Sequence, residues 1–357
     1  MHKRLFIPGP TEVLPDVLEQ QARPLIGHRP KEFTELYTGI IDKLQKFHNT
    51  EQWVTVPTAS GTLFMDITAR SLVKKKVLAG VNGAFSQRFA ETISMSGKEV
   101  DSIDIDWGKA IKPEMVREKL STGEYDTVLI CHNETSTGVR NPIYEIGEMI
   151  HKEFPEVVYV IDSVSAMGGD LVEPDKIHSD LIFASTQKAY ALPPGLAIGF
   201  ASEKALERCK EVPARGRYTD LLGLYDYYQK KQQTPSTPNV SLLYALSYQL
   251  DKMLKETAKG RHERHVEMAK WTQDWANKHF EMFPEKGYES ITVSTIKNTL
   301  GNNIGDLNKE LAKRDYMISN GYGKPLKEKT FRIGHMGDWQ LSDVKDVCKN
   351  IEEIWGL

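Results

Sequence analysis

The chain contains 357 residues, of which 40% are hydrophobic and 27% charged, the composition of a globular protein of about two domains. A formal net charge of −3 argues against nucleic acid or an anionic membrane as a partner, and no apolar run is long enough to span a bilayer. Three sparsely spaced cysteines argue against disulfides and a zinc site and favour a reducing compartment, which we expect to be the cytoplasm.

Short apolar runs alternate with segments of helical spacing over the first 200 residues. The runs are apolar throughout, which is typical of strands buried on both faces of a parallel sheet. The sequence therefore predicts an α/β fold with a mostly parallel central sheet and flanking helices. The predicted strands are 54–56, 77–81, 127–131, 157–161, 181–183 and 196–200, with helices between them such as 86–95 and 142–154.

The C-terminal part of the chain has a different pattern. A long helical stretch over 241–280, interrupted near Lys259 and Gly260, precedes a strand at 291–296, a helix at 306–314, a strand at 330–333 and a last helix at 342–355. We expect an N-terminal arm of residues 1–20, a large domain of 21–255 and a small α+β domain of 256–357. The segment 225–238, rich in Tyr, Gln, Lys and Pro, is predicted to be an exposed or interface loop.

Two charged residues follow neighbouring predicted strands. Strand 181–184 ends in small hydroxyl residues before Lys188 and a Pro-Pro-Gly turn, and strand 157–161 ends at Asp162. Ligands of such sheets bind beyond the carboxyl ends of the strands, where both residues fall. An amine that forms a Schiff base and a carboxylate that keeps a pyridine nitrogen protonated are what pyridoxal phosphate needs. A single lysine after a strand is more often a surface residue, so the hypothesis depends on the other motifs.

Three further motifs at predicted strand ends suit the same cofactor. The segment 58–62, Thr-Ala-Ser-Gly-Thr, can close around a phosphate at a helix start, although it also suits a plain turn and N-cap. The ring of Phe85 could stack on a flat cofactor or simply pack in the core. Thr135, in a polar run after a strand, could bond a phenolic oxygen or cap a turn.

Two basic motifs suit an anionic substrate. Arg332 lies on a predicted strand of the small domain, where its planar guanidinium could hold a carboxylate. His28 and Arg29 form a separate basic pair. Most such residues are solvated or make contacts within the chain, so neither motif is decisive alone.

Seven motifs in order along the chain resemble those of the class V, fold-type I pyridoxal-phosphate aminotransferases. The nearest branch is that of the alanine–glyoxylate and serine–glyoxylate or pyruvate enzymes. The motifs are PGPTEV (8–13), ASGT (59–62), NGAFSQR (82–88), NETSTG (133–138), DSVSAMGG (162–169), STQKAYALPPG (185–195) and FRIG (331–334). The resemblance covers essentially the whole length, and it implies a transaminase that moves the amino group of alanine or serine to glyoxylate or pyruvate.

The resemblance implies a role for each candidate residue. It makes Lys188 the Schiff-base lysine and Asp162 the partner of the pyridine nitrogen, and it implies a homodimer in which the segment 234–237 of one subunit completes the phosphate site of the other. The remaining implied roles are phosphate binding by Ser60, Gly61, Thr62, Gln187 and Thr237, stacking by Phe85, contact with the phenolic oxygen by Thr135, carboxylate binding by Arg332 and lining of the substrate pocket by Gly9. Two departures are the Thr-Pro-Ser-Thr-Pro segment itself and Phe85, where glyoxylate-using relatives commonly carry tryptophan.

Two alternatives for the reaction remain open. His28 and Arg29 resemble the pair that phosphoserine aminotransferases direct at the phosphate of their substrate, so O-phosphoserine with 2-oxoglutarate is the second reading. A lyase of the cysteine desulfurase or kynureninase type shares the fold and cofactor. It is disfavoured because a desulfurase needs a cysteine on a mobile loop, whereas Cys209 and Cys348 lie in predicted helices.

Overall fold

The computed structural model describes residues 2–357 and contains two main sheets. The strands, in chain order, are β1 Arg4–Phe6, β2 Trp53–Thr55, β3 Lys76–Val81, β4 Glu99–Asp104, β5 Thr127–Cys131, β6 Asn133–Glu134, β7 Val139–Arg140, β8 Val158–Asp162, β9 Leu181–Ser185, β10 Ala197–Ala201, β11 Glu281–Met282, β12 Val293–Lys297, β13 Tyr316–Asn320 and β14 Thr330–Gly334. The six strands predicted for the first 200 residues all form, within one or two residues of the predicted bounds.

The helices surround these sheets. They are α1 Pro15–Glu19, α2 Lys31–His48, α3 Thr62–Ile67, α4 Ala84–Met95, α5 Pro113–Leu120, α6 Ile143–Glu153, α7 Pro174–Ile177, α8 Glu203–Lys210, α9 Leu221–Lys231, α10 Val240–Glu256, α11 Ala258–His279, α12 Ile304–Lys313, α13 Gly323–Leu326 and α14 Leu341–Trp355. No helix within residues 2–357 combines the length and the apolar character that crossing a membrane requires.

The large sheet has seven strands in the order β2-β10-β9-β8-β5-β3-β4. The pairs β3–β4, β3–β5, β5–β8 and β8–β9 are parallel, and β10 runs against both of its neighbours. Alternate residues of β8 enter separate cores: Tyr159 and Ile161 pack on one face of the sheet, Val158 and Val160 on the other. Apolar residues on both faces explain the uninterrupted apolar runs, and the predicted α/β class is confirmed.

The small sheet has five strands in the order β1-β13-β14-β12-β11 and a third core, which includes Phe6, Trp275, Phe331 and Val347. Strand β1, from the N-terminal segment, pairs in parallel with β13. The division at residues 20 and 255 stays a prediction.

One local prediction is shifted by two residues and one is wrong in part. The long helical stretch breaks at Thr257, two residues before the predicted position, because Thr257 takes a positive φ of 72° and its hydroxyl caps α11 by accepting from the amide of Gly260. The segment 225–238 is helical in its first half, since α9 begins after Asp220, whose carboxylate caps the amide of Gly223. Only the residues after α9 form the irregular segment that leads to α10.

Candidate active site

The carboxyl ends of strands β5, β8 and β9 and the first turns of α3 and α4 surround a cavity of about 170 Å³. Parallel strands bring their carboxyl ends to one edge of the sheet, so residues far apart in sequence meet there. Eight of the nine residues predicted to contact the cofactor line this cavity: Ser60, Gly61, Thr62, Phe85, Thr135, Asp162, Gln187 and Lys188. Its other lining residues, which the sequence did not single out, are Met65, Arg88, Cys131, Asn133, Val164 and Ser185.

Lys188 lies in the loop after β9 with its amine inside the cavity. Its Nζ donates a hydrogen bond to the carbonyl of Pro8. Burial lowers the pKa of Lys188 to about 8, the positive charge of Arg332 acts in the same direction, and Asp162 opposes both. A lysine with this pKa has a substantial neutral fraction near neutral pH, which makes it a nucleophile for a carbonyl carbon.

Asp162, the last residue of β8, is 4% exposed. One carboxylate oxygen accepts from the amide of Val164 at 2.9 Å, and no protein group within residues 2–357 donates to the other. Burial raises the pKa of Asp162 to about 6, and the charge of Glu134 adds to this rise. A buried carboxylate with a free oxygen is stabilised by a cationic N–H donor in the cavity.

The end of the cavity near α3 has unsatisfied polar groups. Oγ of Ser185 and Oε1 of Gln187 are buried and make no hydrogen bond. A Cβ on Gly61 would stand 2.7 Å from Oγ of Ser185 and 2.7 Å from a methyl of Val164, so only glycine keeps this space open. Buried polar atoms normally have partners, and these are oriented to bind polar atoms of a ligand. The residues present therefore fit a phosphate-bearing group.

The start of α4 is held at the cavity edge by Glu134, a buried residue that the sequence analysis missed. Its carboxylate accepts from the amides of Phe85 and Ser86 at 3.1 and 2.8 Å and from the hydroxyl of Ser86 at 2.8 Å. Its presence inside a run of polar residues after a buried strand was the available signal. The cap fixes the backbone of Phe85, whose ring lies 5.0 Å from that of Tyr322 at 43°.

Arg332 reaches the same region from β14 of the small sheet. It is 7% exposed, and its guanidinium donates to the carbonyls of Asn320 and Thr135, each at 3.1 Å. Burial lowers the pKa of Arg332 to about 10, so it remains a cation at neutral pH. Within residues 2–357 no carboxylate pairs with it, which leaves its charge available for an anionic ligand.

Thr135 connects Arg332 to the large sheet. While its carbonyl accepts from Arg332, its hydroxyl donates to Oγ of Ser165 at 2.6 Å. Contact of this hydroxyl with a phenolic oxygen stays a prediction. Gly9 has a φ of +133° and lies against the Lys188 side chain, since a Cβ there would stand 2.5 Å from Nζ.

Gly9 and Arg332 contact residues of the Lys188 cavity without lining it, and three further predicted site residues lie away from it in their own chain. Arg29 donates to the carbonyls of Thr234 and Pro235 at 2.8 and 3.2 Å. Thr237 lines a separate cavity of about 30 Å³, and the ring of His28 lies 6.5 Å from Phe33. Within one chain, Arg29 therefore supports the segment that follows α9 rather than the site around Lys188.

Similarity to known proteins extends over most of the chain. A family model described as class-V aminotransferase matches residues 12–321. An aminotransferase of Methanocaldococcus jannaschii is 42% identical over 94% of this chain and 88% of its own length. The serine–glyoxylate aminotransferase of Methylorubrum extorquens is 30% identical over 94% of this chain and 86% of its own length.

The fold is also similar to that of a solved aminotransferase structure. A crystal structure of alanine–glyoxylate aminotransferase from a Nostoc species superposes with a TM-score of 0.93 at 24% identity, covering 99% of this chain and 96% of that one. Its strands and helices therefore follow the same course as those around the Lys188 cavity.

Proposed function

Because the chain belongs to the class V aminotransferases, we propose that it transfers the amino group of alanine or serine to a 2-oxo acid such as glyoxylate or pyruvate. The observation that carries this proposal is that Lys188 and Asp162 line one cavity and Arg332 lies beside it, bonded to the carbonyl of the lining residue Thr135. Lys188 and Asp162 come from the large sheet, and Arg332 comes from the small one. An amine of lowered pKa, a buried carboxylate and an unpaired guanidinium are the groups that amino-group transfer needs.

The family uses pyridoxal 5′-phosphate, and we propose that this chain binds it in the Lys188 cavity. When bound, the cofactor supplies an electron sink for charge that develops at the substrate Cα. Lys188 would hold its aldehyde carbon, Asp162 its pyridine nitrogen and Phe85 one face of its ring. Ser60, Gly61, Thr62 and Gln187 would hold its phosphate, and Thr135 would lie near its phenolic oxygen. The unpartnered atoms of Ser185 and Gln187 support this assignment.

We assign a separate role in the reaction to each of these protein groups. Arg332 binds the substrate carboxylate and so turns the Cα–H bond toward Lys188. Lys188 would remove that proton from the substrate Cα as a general base and, as a general acid, would deliver it to the former aldehyde carbon of the cofactor, a role its pKa of about 8 suits near neutral pH. Because Gly9 has no side chain, it leaves space for the amine of Lys188 to move. Asp162 stays ionised when it faces a cationic nitrogen.

We also propose a homodimer in which each subunit completes the phosphate site of the other. Arg29 holds the segment 234–237, and Thr237 is exposed there rather than turned into its own Lys188 cavity. Mixing a Lys188→Ala subunit with a Thr237→Trp subunit should restore activity, since one site of the hybrid then has both native groups. A fully active monomer in sedimentation would contradict the dimer. A cytoplasmic location remains a prediction from the sparse cysteines.

The alternative reactions receive less support. O-phosphoserine would need a cation such as Arg29, but this side chain already donates to three backbone carbonyls. A desulfurase would need a mobile cysteine, whereas Cys209 and Cys348 are buried in α8 and α14. We therefore keep the alanine or serine reaction ahead of the phosphoserine reaction and of a lyase.

Two measurements test the proposal. Borohydride reduction of the protein with pyridoxal phosphate, followed by peptide mass analysis, should label Lys188 and no other lysine. A panel of amino acids should then convert the cofactor spectrum to that of pyridoxamine phosphate, with alanine or serine among the fastest donors. Absence of label at Lys188, or a labelled protein that reacts with no amino acid, would refute the proposed function.

A further inference from the structure

Arg88 is a cation at the mouth of the Lys188 cavity that the proposed reaction leaves unused. It lies on α4, one turn after Phe85, and its exposed guanidinium stands 5.1 Å from that ring. Among residues 2–357 no carboxylate forms an ion pair with it. Its one protein hydrogen bond goes from Nη2 to the hydroxyl of Tyr322 at 2.8 Å. An arginine whose only partner is neutral retains its charge and most of its donors for a ligand.

Tyr322 joins this arginine to the carboxylate-binding side of the cavity. While its hydroxyl accepts from Arg88, its ring lies 5.3 Å from the guanidinium of Arg332. The two guanidiniums therefore contact different parts of one aromatic side chain. A ligand whose first anionic group binds Arg332 would therefore have a second cation close by, on the other part of Tyr322.

We propose that Arg88 is a specificity-determining residue that binds the distal anionic group of a substrate, a side-chain carboxylate or phosphate. The inference rests on the proposed function and extends its substrate class beyond alanine and serine. Arg88 suits this role better than Arg29, which donates to the carbonyls of Thr234 and Pro235 and does not line the Lys188 cavity of its own chain. An anion would give Arg88 a charge-assisted hydrogen bond, which is stronger than its bond to a neutral hydroxyl.

The test compares paired donors in single-turnover half-reactions of the holoenzyme. L-aspartate is paired with L-asparagine, and O-phosphoserine with L-serine, so that each pair differs mainly in the distal charge. Wild type should favour at least one anionic donor over its neutral partner by about tenfold or more, mostly through half-saturation rather than maximal rate. Arg88→Gln should bring that ratio close to one, and Arg88→Lys should restore part of it. Arg117→Gln removes a half-buried arginine that pairs with Glu153 away from the cavity; it is the matched control and should keep the wild-type ratio.

Each other outcome overturns the inference in a recognisable way. If alanine or serine reacts but neither anionic donor is favoured, Arg88 has no such role and the proposed function stands. A preference that survives in Arg88→Gln would assign the distal group to another cation. Equal slowing of anionic and neutral donors by Arg88→Gln and Tyr322→Phe would mean that the contact only links the two sheets. If no amino acid reacts, the proposed function and this inference both fail.

Discussion

The carbonyl of Pro8 accepts a hydrogen bond from the amine of Lys188, so the N-terminal loop after β1 contacts the residue that we assign to the chemistry. This contact joins the small sheet, where β1 pairs with β13, to the loop after β9 of the large sheet. The Lys188 amine therefore has a defined acceptor next to Gly9, which we propose to line the substrate pocket.

Gly9→Ala should hinder this placement of Lys188. A Cβ at Gly9 would stand 2.5 Å from Nζ and 2.8 Å from Cδ of Lys188, and the φ of +133° adds backbone strain. We expect the variant to bind pyridoxal phosphate at least roughly tenfold more weakly, a loss of about 1.4 kcal/mol, as measured by absorbance titration. Gly97→Ala is the control, because Gly97 also has a positive φ but nothing lies within 4 Å of its Cβ position. Equal effects of both variants would point to backbone strain alone.

Attachment of the cofactor to Lys188 should depend on pH. The pKa of Lys188 falls from 10.5 to about 8, and the neutral amine is the nucleophile. The rate of attachment to the cofactor-free protein should therefore rise about tenfold between pH 7 and pH 9 and then level off. Stopped-flow absorbance measures this rate. A rate that keeps rising steeply to pH 10.5 would indicate a lysine of ordinary pKa.

Asp162→Asn should stabilise the cofactor-free protein at neutral pH. Because the folded-state pKa of Asp162 is raised from 3.8 to about 6, the folded state binds more protons than the unfolded state in this interval, and stability falls as pH rises through it. Asparagine removes this penalty and keeps the oxygen that accepts from Val164. The gain should be about 2–3 kcal/mol at pH 7.5 and absent below pH 4, as measured by urea unfolding.

The exposed Asp226 of α9 offers a control for this comparison. Asp226→Asn should give no comparable gain at pH 7.5. If Asp162→Asn has the same stability as wild type at every pH, the penalty of burying the Asp162 carboxylate has been misjudged.

Arg261 should be among the largest single contributors to stability outside the site. It is 2% exposed on α11, forms ion pairs of 2.9 Å with Glu256 and Asp338, and donates to the carbonyls of Gly168 and Ala189 at 2.7 Å. Arg261→Met leaves these acceptors without their cation and should lower the free energy of unfolding by about 3–5 kcal/mol. Ala189 follows Lys188 directly, so cofactor affinity should also fall.

Lys259 provides the matched control on the same helix. It is exposed and its ion pair with Glu263 spans 3.7 Å, so Lys259→Met should change the free energy of unfolding by about 0.5 kcal/mol or less. A loss in Arg261→Met no greater than in this control would show that the Arg261 contacts are weak. Urea unfolding of both variants at one pH decides between these outcomes.

Local sequence patterns were sufficient to predict the strands of the large sheet and most of the candidate residues that line the cavity. Apolar runs identify strands buried on both faces, and polar residues directly after such runs must meet at one edge because parallel strands share a direction. For that reason Asp162 and Lys188 could be paired before any distance was known. Element ends were less certain, and the break at Thr257 was misplaced because a threonine cap is a weaker signal than a nearby glycine.

Contacts between the two sheets were beyond the reach of such patterns. The bond between Arg88 and Tyr322 spans 234 residues, and the placement of Arg29 depends on how the segment after α9 packs on the N-terminal part of the chain. The hydrogen bond from Arg332 to the carbonyl of Thr135 also joins the two sheets. Spacing along a strand or helix reports which face a residue occupies, but not which distant element covers that face. The order of residues along the chain predicts which side chains meet at the edge of the parallel sheet. The part of the site that contains Arg332 forms only when the small sheet packs against the large one.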